Sequence, residues 1–147
     1  MKIQKFIDWL KDLKLKPIIL KNSYLPIKGF KAMNLFGVIF ARNDRVLDAI
    51  TINHERIHSK QIKEVMFLTG FPLIVITLTF NIPFLMLLWI FSYYIWYSAE
   101  YLINLVRFKE HHLAYRRISF EREAYTFQND LTYLNRNNNF AFFKYIK

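Results

Sequence analysis

Asn53-His54-Glu55-Arg56-Ile57-His58-Ser59-Lys60-Gln61 decides how this chain is read. His54 and His58 are four residues apart, so on a helix both imidazoles project from one face and can bind one zinc ion. Glu55, beside the first histidine, is the residue type that takes a proton from a metal-bound water. Residues 47–67 contain neither Pro nor Gly, and Leu47, Ile50, Ile57, Ile62, Val65 and Met66 recur with helical spacing. The stretch therefore predicts a helix buried along one side. Two histidines leave a zinc site incomplete, so a third ligand is expected from elsewhere in the chain.

Phe120-Glu121-Arg122-Glu123-Ala124-Tyr125 offers that ligand on a second predicted helix spanning 118–134. Residues two apart on a helix lie about 200° apart, so only one of Glu121 and Glu123 can face the histidines. Glu121 is the first choice and Glu123 the rival. The chain has no cysteine, so any metal site must use His and carboxylate donors. Such a set suits Zn2+ but accepts other divalent ions.

Between the two motifs, no charged residue occurs from Val65 to Ala99. Asn81 and Pro83 interrupt this run, which reads as a membrane hairpin with segments 65–80 and 83–106. The first is short: its length corresponds to about 24 Å at about 1.5 Å per residue, against a hydrocarbon core of about 30 Å. Gly70 and Pro72 fall inside it. Trp89, Tyr93, Tyr94, Trp96 and Tyr97 suit an interfacial aromatic belt. Arg42, Arg45, Arg56, Lys60 and Lys63 precede the hairpin, and Arg107, Lys109, Arg116, Arg117 and Arg122 follow it. The positive-inside rule then places both chain ends in the cytoplasm and the turn outside. Both motifs fall on the same side of the membrane, as a shared site requires.

Composition agrees with a membrane protein. Hydrophobic residues make up 54% and aromatics 18%, which excludes a disordered chain. The net charge of +10 suits an anionic membrane face, and no nucleic-acid module accompanies it. The expected organisation is a single domain over 1–147. An amphipathic basic helix and short strands occupy 1–46, with the helix at 1–15 and strands near 17–20 and 34–41. The motif helix follows at 47–67, the hairpin at 65–106, and the third-ligand helix with an aromatic tail at 107–147. Asn43-Asp44 is a plausible start for the motif helix. No cleavable targeting segment is read at 1–16. Several other polar residues are weighed for the site. His111 or His112 can polarise a carbonyl, with Tyr115 and Tyr125 as further oxyanion or ligand-orienting candidates. Glu100 is expected to meet water or pair with Arg107, with Asn104 joining that contact.

On these residues the chain resembles the gluzincin metallopeptidases, particularly the membrane-embedded group of heat-shock membrane proteases and CAAX-prenyl proteases. His54-Glu55-x-x-His58 matches their first element, and Glu121-Arg122-Glu123-Ala124-Tyr125 resembles their ExEAD element. The segments read above make an α-rich α+β fold with a membrane helical hairpin and a small N-terminal strand-containing cap, to which the likeness adds a zincin-like helical core. The likeness implies His54, His58 and Glu121 as zinc ligands and Glu55 as general base of a peptide hydrolase at the cytoplasmic membrane face. Tyr125 departs from the pattern, standing where the family has an aspartate that orients a ligating histidine. Gln61 occupies a position that is often acidic. The chain also looks like small bacterial membrane proteins with NHExIHxxQ and FEREAY segments. The implied partners are the lipid bilayer and a peptide or membrane-protein substrate, with no nucleic acid. The alternative is a non-catalytic metal-binding membrane scaffold that keeps the site.

Overall fold

The computed structural model describes residues 17–26, 29–136 and 138–146. The amphipathic helix expected at 1–15 lies outside them. The fold is helix-rich with a small three-stranded sheet on its N-terminal side, an α-rich α+β arrangement.

The sheet contains β1 (Ile18–Asn22), β2 (Ala32–Leu35) and β3 (Val38–Arg42) in the order β1-β3-β2. β1 runs parallel to β3, pairing Ile18 with Val38, and β2 runs antiparallel to β3, pairing Leu35 with Val38. The segment expected at 34–41 is thus a hairpin. Its two-residue turn, Phe36-Gly37, has both φ angles positive, at 52° and 84°. That matches the twist of the flanking strands but disfavours a phenylalanine. Tyr94 compensates: its hydroxyl accepts from Phe36 N at 2.6 Å and its ring packs edge-on at 5.0 Å. Asn34 Nδ2 donates to Glu55 O at 2.8 Å and Ser59 Oγ at 2.6 Å, docking β2 on the motif helix.

That helix, α1 (Ala49–Phe80), merges the motif helix and the first hairpin segment into one element. Nothing before Asn81 carries enough cost to stop it, and Pro72 is accommodated inside. It starts later than Asn43-Asp44, because Asp48 is the residue whose side chain accepts from Thr51 N, at 2.6 Å. Asn81, left-handed at φ 51°, ends it. α2 (Leu85–Phe108) returns alongside. The two helices approach closely at Gly70, where an added Cβ would lie 2.9 Å from Trp89 Nε1. The same indole nitrogen donates to Met66 O at 2.7 Å.

α3 (His111–Arg116) and α4 (Ser119–Phe127) follow. Glu100 neither pairs with Arg107 nor lies free in water. Its carboxylate accepts from Ser119 N and Oγ at 2.6 and 2.7 Å and from Trp96 Nε1 at 2.6 Å, so α2 caps α4. Asn104 reaches Ala114 O instead, at 3.4 Å. α4 is shorter than the expected 118–134. Asn53 Nδ2 sits 3.0–3.2 Å from Phe127 O, Gln128 O and Asp130 O, gathering the carbonyls at its end into a turn. The core forms where α1, α2 and α4 meet: Ile62, Val65, Tyr93, Ile118, Phe120 and Phe142. Phe142 comes from the aromatic tail, which is a plug against Phe120 and Trp96.

Among the described residues, α1 is the helix long and apolar enough to cross a membrane. Its outer half and the turn before α2 leave Phe67, Phe71, Leu78, Phe80 and Phe84 exposed.

Candidate metal centre

α1 presents His54 and His58 one turn apart, and α4 crosses them with Glu121. The Nε2 atoms of the histidines are 3.1 Å apart. Glu121 Oε2 lies 3.4 Å from His54 Nε2, and Glu121 Oε1 lies 3.2 Å from His58 Nε2. All three residues are buried, and their ligand atoms fall within 4.8 Å of one another. The group could hold a metal ion.

The donor set fits a divalent cation, and so does one unmet demand. Glu121 Oε2 is buried without a hydrogen bond. Its approach to His54 is an ion-pair distance and not a hydrogen bond, so the oxygen has unused acceptor capacity. Buried carboxylate oxygens are rarely left in that state. Glu121 Oε1 accepts from Tyr97 OH at 2.8 Å.

In the absence of an ion, the electrostatics follow from mutual proximity. Burial opposes charge on Glu121, but His58 and His54 beside it hold its carboxyl well below the usual range. Burial likewise opposes charge on His58, but the Glu121 carboxylate, with Glu55 and Gln61 adding, pushes it up to about 9. Glu55 goes the other way: burial raises its pKa, against a smaller pull from the two imidazoles. Among the described residues its carboxylate has no hydrogen-bond partner, and it faces a cavity of about 840 Å3.

Glu55, His58 and Glu121 stand in the wall of that cavity. Tyr115, Tyr125, His111 and His112 line it too, so all four further candidates reach the same space. His111 is turned partly aside, with Nδ1 2.7 Å from Tyr101 OH. Burial and the charge of Glu121 raise the hydroxyl pKa of Tyr115 and of Tyr125, so both keep their protons. Edge strand β2 supplies Ala32, Met33, Asn34 and Leu35 to the lining. Glu123 is absent from this space. It is fully buried behind the site, accepting from Tyr133 OH at 2.7 Å and Gln61 Nε2 at 3.0 Å, with Lys60 Nζ at 3.6 Å.

Sequence reasoning missed the residues that hold the imidazoles. Gln61 Oε1 is 2.8 Å from His58 Nδ1, and Gln128 Oε1 is 3.2 Å from His54 Nδ1. Tyr93 OH is 3.3 Å from His58 Nδ1. Tyr93 and Tyr97 are four apart and share a helix face, a spacing that pointed inward although the cluster was read as a membrane belt. Tyr125 does not take the role of a carboxylate. Its ring packs edge-on against His54 at 4.8 Å, with the Arg116 guanidinium over its own face at 4.5 Å. No family model, curated protein or solved structure matches the chain.

Proposed function

We propose that the protein is a membrane-bound, zinc-dependent peptidase with a zincin-like core, hydrolysing peptide bonds at the cytoplasmic membrane face. The observation that carries this reading is the convergence of His54, His58 and Glu121 beside a partner-free Glu55 in an open cavity. Zinc, or another divalent ion suited to two imidazoles and a carboxylate, supplies Lewis acidity there and brings the pKa of a water it binds towards about 7.

The chain's own residues do the rest. Glu55 accepts the proton of the attacking water and returns it to the leaving amine. Its burial raises its pKa towards the operating range of such a base. Tyr115 and Tyr125, kept protonated, are the hydroxyl donors for the carbonyl oxygen as charge develops on it, with His112 at the rim. An extended substrate adds to the free edge of β2, which borders the same cavity. Phe30, Met33, Leu35 and Tyr94 in the walls favour large apolar side chains next to the scissile bond.

The outer hairpin inserts in the bilayer as segments 65–80 and 83–106. The basic flanks put both chain ends in the cytoplasm. The exposed phenylalanines of α1 support this, since water is a poor neighbour for them. One observation favours a second reading, a metal-binding scaffold without turnover: His54 is held by the amide of Gln128 and the edge of Tyr125, with no carboxylate behind it.

Glu55→Gln separates the two. As base and not ligand, Glu55 should be dispensable for zinc and required for cleavage. The variant is expected to keep one zinc per chain and lose about 100-fold or more in turnover on a peptide library. Equal cleavage by wild type and variant would remove the hydrolase reading. Zinc-loaded wild type without any cleavage would favour the scaffold.

A further inference from the structure

Glu123 is a fully buried acid that the hydrolytic reading leaves without work. Its surroundings assign it some. Gln61 Nε2 lies 3.0 Å from Phe120 O and 3.0 Å from Glu123 Oε2. A backbone carbonyl only accepts, so the nitrogen end of the Gln61 amide must face Phe120 O and the Glu123 carboxyl beside it, and cannot be exchanged with the oxygen. The oxygen end is thereby committed to His58 Nδ1, at 2.8 Å. Because an amide oxygen only accepts, that nitrogen must carry the proton. That leaves Nε2, the nitrogen 3.2 Å from Glu121, as the one that gives its lone pair to the ion.

Glu123 is itself held. Tyr133 OH donates to its Oε1 at 2.7 Å, and Lys60 Nζ lies 3.6 Å from the same atom. Lys60 is fixed in turn by Glu64 at 3.0 Å and Asn138 O at 2.6 Å. His54 has no comparable support. Gln128 Oε1 is 3.2 Å from its Nδ1, but among the described residues the Gln128 side chain has no second partner to fix which way its amide faces.

We propose that Glu123 is a positioning residue for the metal site, acting through Gln61 to fix His58 in its Nδ1-protonated tautomer with Nε2 turned to the ion. The inference rests on the metal-binding part of the reading above and is independent of whether the protein cleaves anything. Its distinctive consequence is serial action: Glu123 matters to the metal only while Gln61 is present.

The experiment is a double-mutant cycle on the full chain in detergent. Zinc affinity is read by competition with a chromogenic chelator, and the apo melting temperature is recorded for each variant. Gln61→Met should weaken zinc binding by about 10–100-fold. Glu123→Leu should weaken it comparably in the wild-type background and have no further effect in the Gln61→Met background. Glu123→Gln should bind zinc as wild type does: its carbonyl oxygen still accepts from Gln61, its amide nitrogen donates to the Tyr133 hydroxyl, which reverses its own bond, and Lys60 keeps Glu64 and Asn138 O. Equal losses from Glu123→Leu in both backgrounds would overturn the proposal, as would a Glu123→Gln variant as damaged as Glu123→Leu. If Glu123→Leu fails to melt cooperatively, Glu123→Gln and Gln61→Met decide by the same criteria. Wild type that binds zinc without cleaving peptides removes the peptidase and leaves the relay standing. Wild type that binds no zinc removes both.

Discussion

α1 is one helix with two opposite halves. Its first half buries Asn53, His54, Glu55, His58, Gln61 and Glu64. Its second half leaves Phe67, Phe71 and Leu78 exposed by 79, 78 and 78%. Polar groups lie inside and apolar groups outside, along one continuous element. The difference teaches what each half has for a solvent. The inner half is solvated by protein: apart from Glu55, which faces the cavity, its buried polar side chains find partners in α4, the turn after it and the Phe140 backbone. Buried polar groups are tolerated only on those terms. Among the described residues the outer half packs on α2, and its remaining surface is apolar and exposed.

The largest expected effect on this contrast comes from placing a charge on the outer half. Phe71→Asp should oppose membrane insertion by about 2.5–3.5 kcal/mol if that position lies at bilayer depth. The variant is expected to appear in the carbonate-soluble fraction, while Phe71→Leu stays with the membrane. Full membrane retention of Phe71→Asp, with an unchanged melt, would mean that this half meets water or another protein surface.

The inner half should respond to the loss of a single amide. Asn53→Ala strips the shared donor from three carbonyls at the end of α4, and is expected to cost about 1–3 kcal/mol in a thermal or denaturant melt. Because α4 carries Glu121, zinc affinity should fall with it. A variant as stable as wild type would show that the turn after α4 is held by other means.

The last test leaves every residue in place and changes only the pH. In the metal-free protein, His58 rises to about 9 from an ordinary value of 6.5, so its contribution to stability is complete below pH 6.5 and lost as pH rises through 9. Glu121 lies below its ordinary 4.5, so its contribution is present above pH 4.5 and lost on acidification. The two groups together favour the apo fold most between pH 4.5 and 6.5. Zinc must displace the His58 proton, so apparent affinity should weaken about tenfold per pH unit below pH 9. A flat affinity from pH 6 to 9, or a steeper loss than one proton explains, would call for a different protonation state of the pair.

Legibility divides along the same line as the helix. The motif spacing indicated where His54 and His58 would sit, because four residues on a helix leave little freedom. The 200° separation of Glu121 and Glu123 told that only one could face them. What spacing could not tell is which residues of other elements would take up the back of the site. Gln61 was read by its difference from a family position, yet its meaning depends on Phe120 O and Glu123 arriving from α4. Glu100 looked like an acid at a helix end. Its partners, Ser119 N and Oγ, come from α4, and sequence distance hid them. Tyr93 and Tyr97 were read as part of an interfacial aromatic belt, whereas their hydroxyls turn to His58 and Glu121. The fusion of motif helix and first hairpin segment was partly legible in the lack of a strong stop, but Pro72 and the expected boundary near 67 obscured it.

Zinc K-edge X-ray absorption on the purified, zinc-loaded protein addresses the central claim most directly. The account predicts two imidazole nitrogens and carboxylate oxygen in the first coordination sphere at about 2.0–2.2 Å. Glu121→Ala should abolish stoichiometric zinc, and Glu123→Gln should leave the spectrum unchanged. A spectrum without imidazole scattering, or full zinc occupancy in Glu121→Ala, would contradict it.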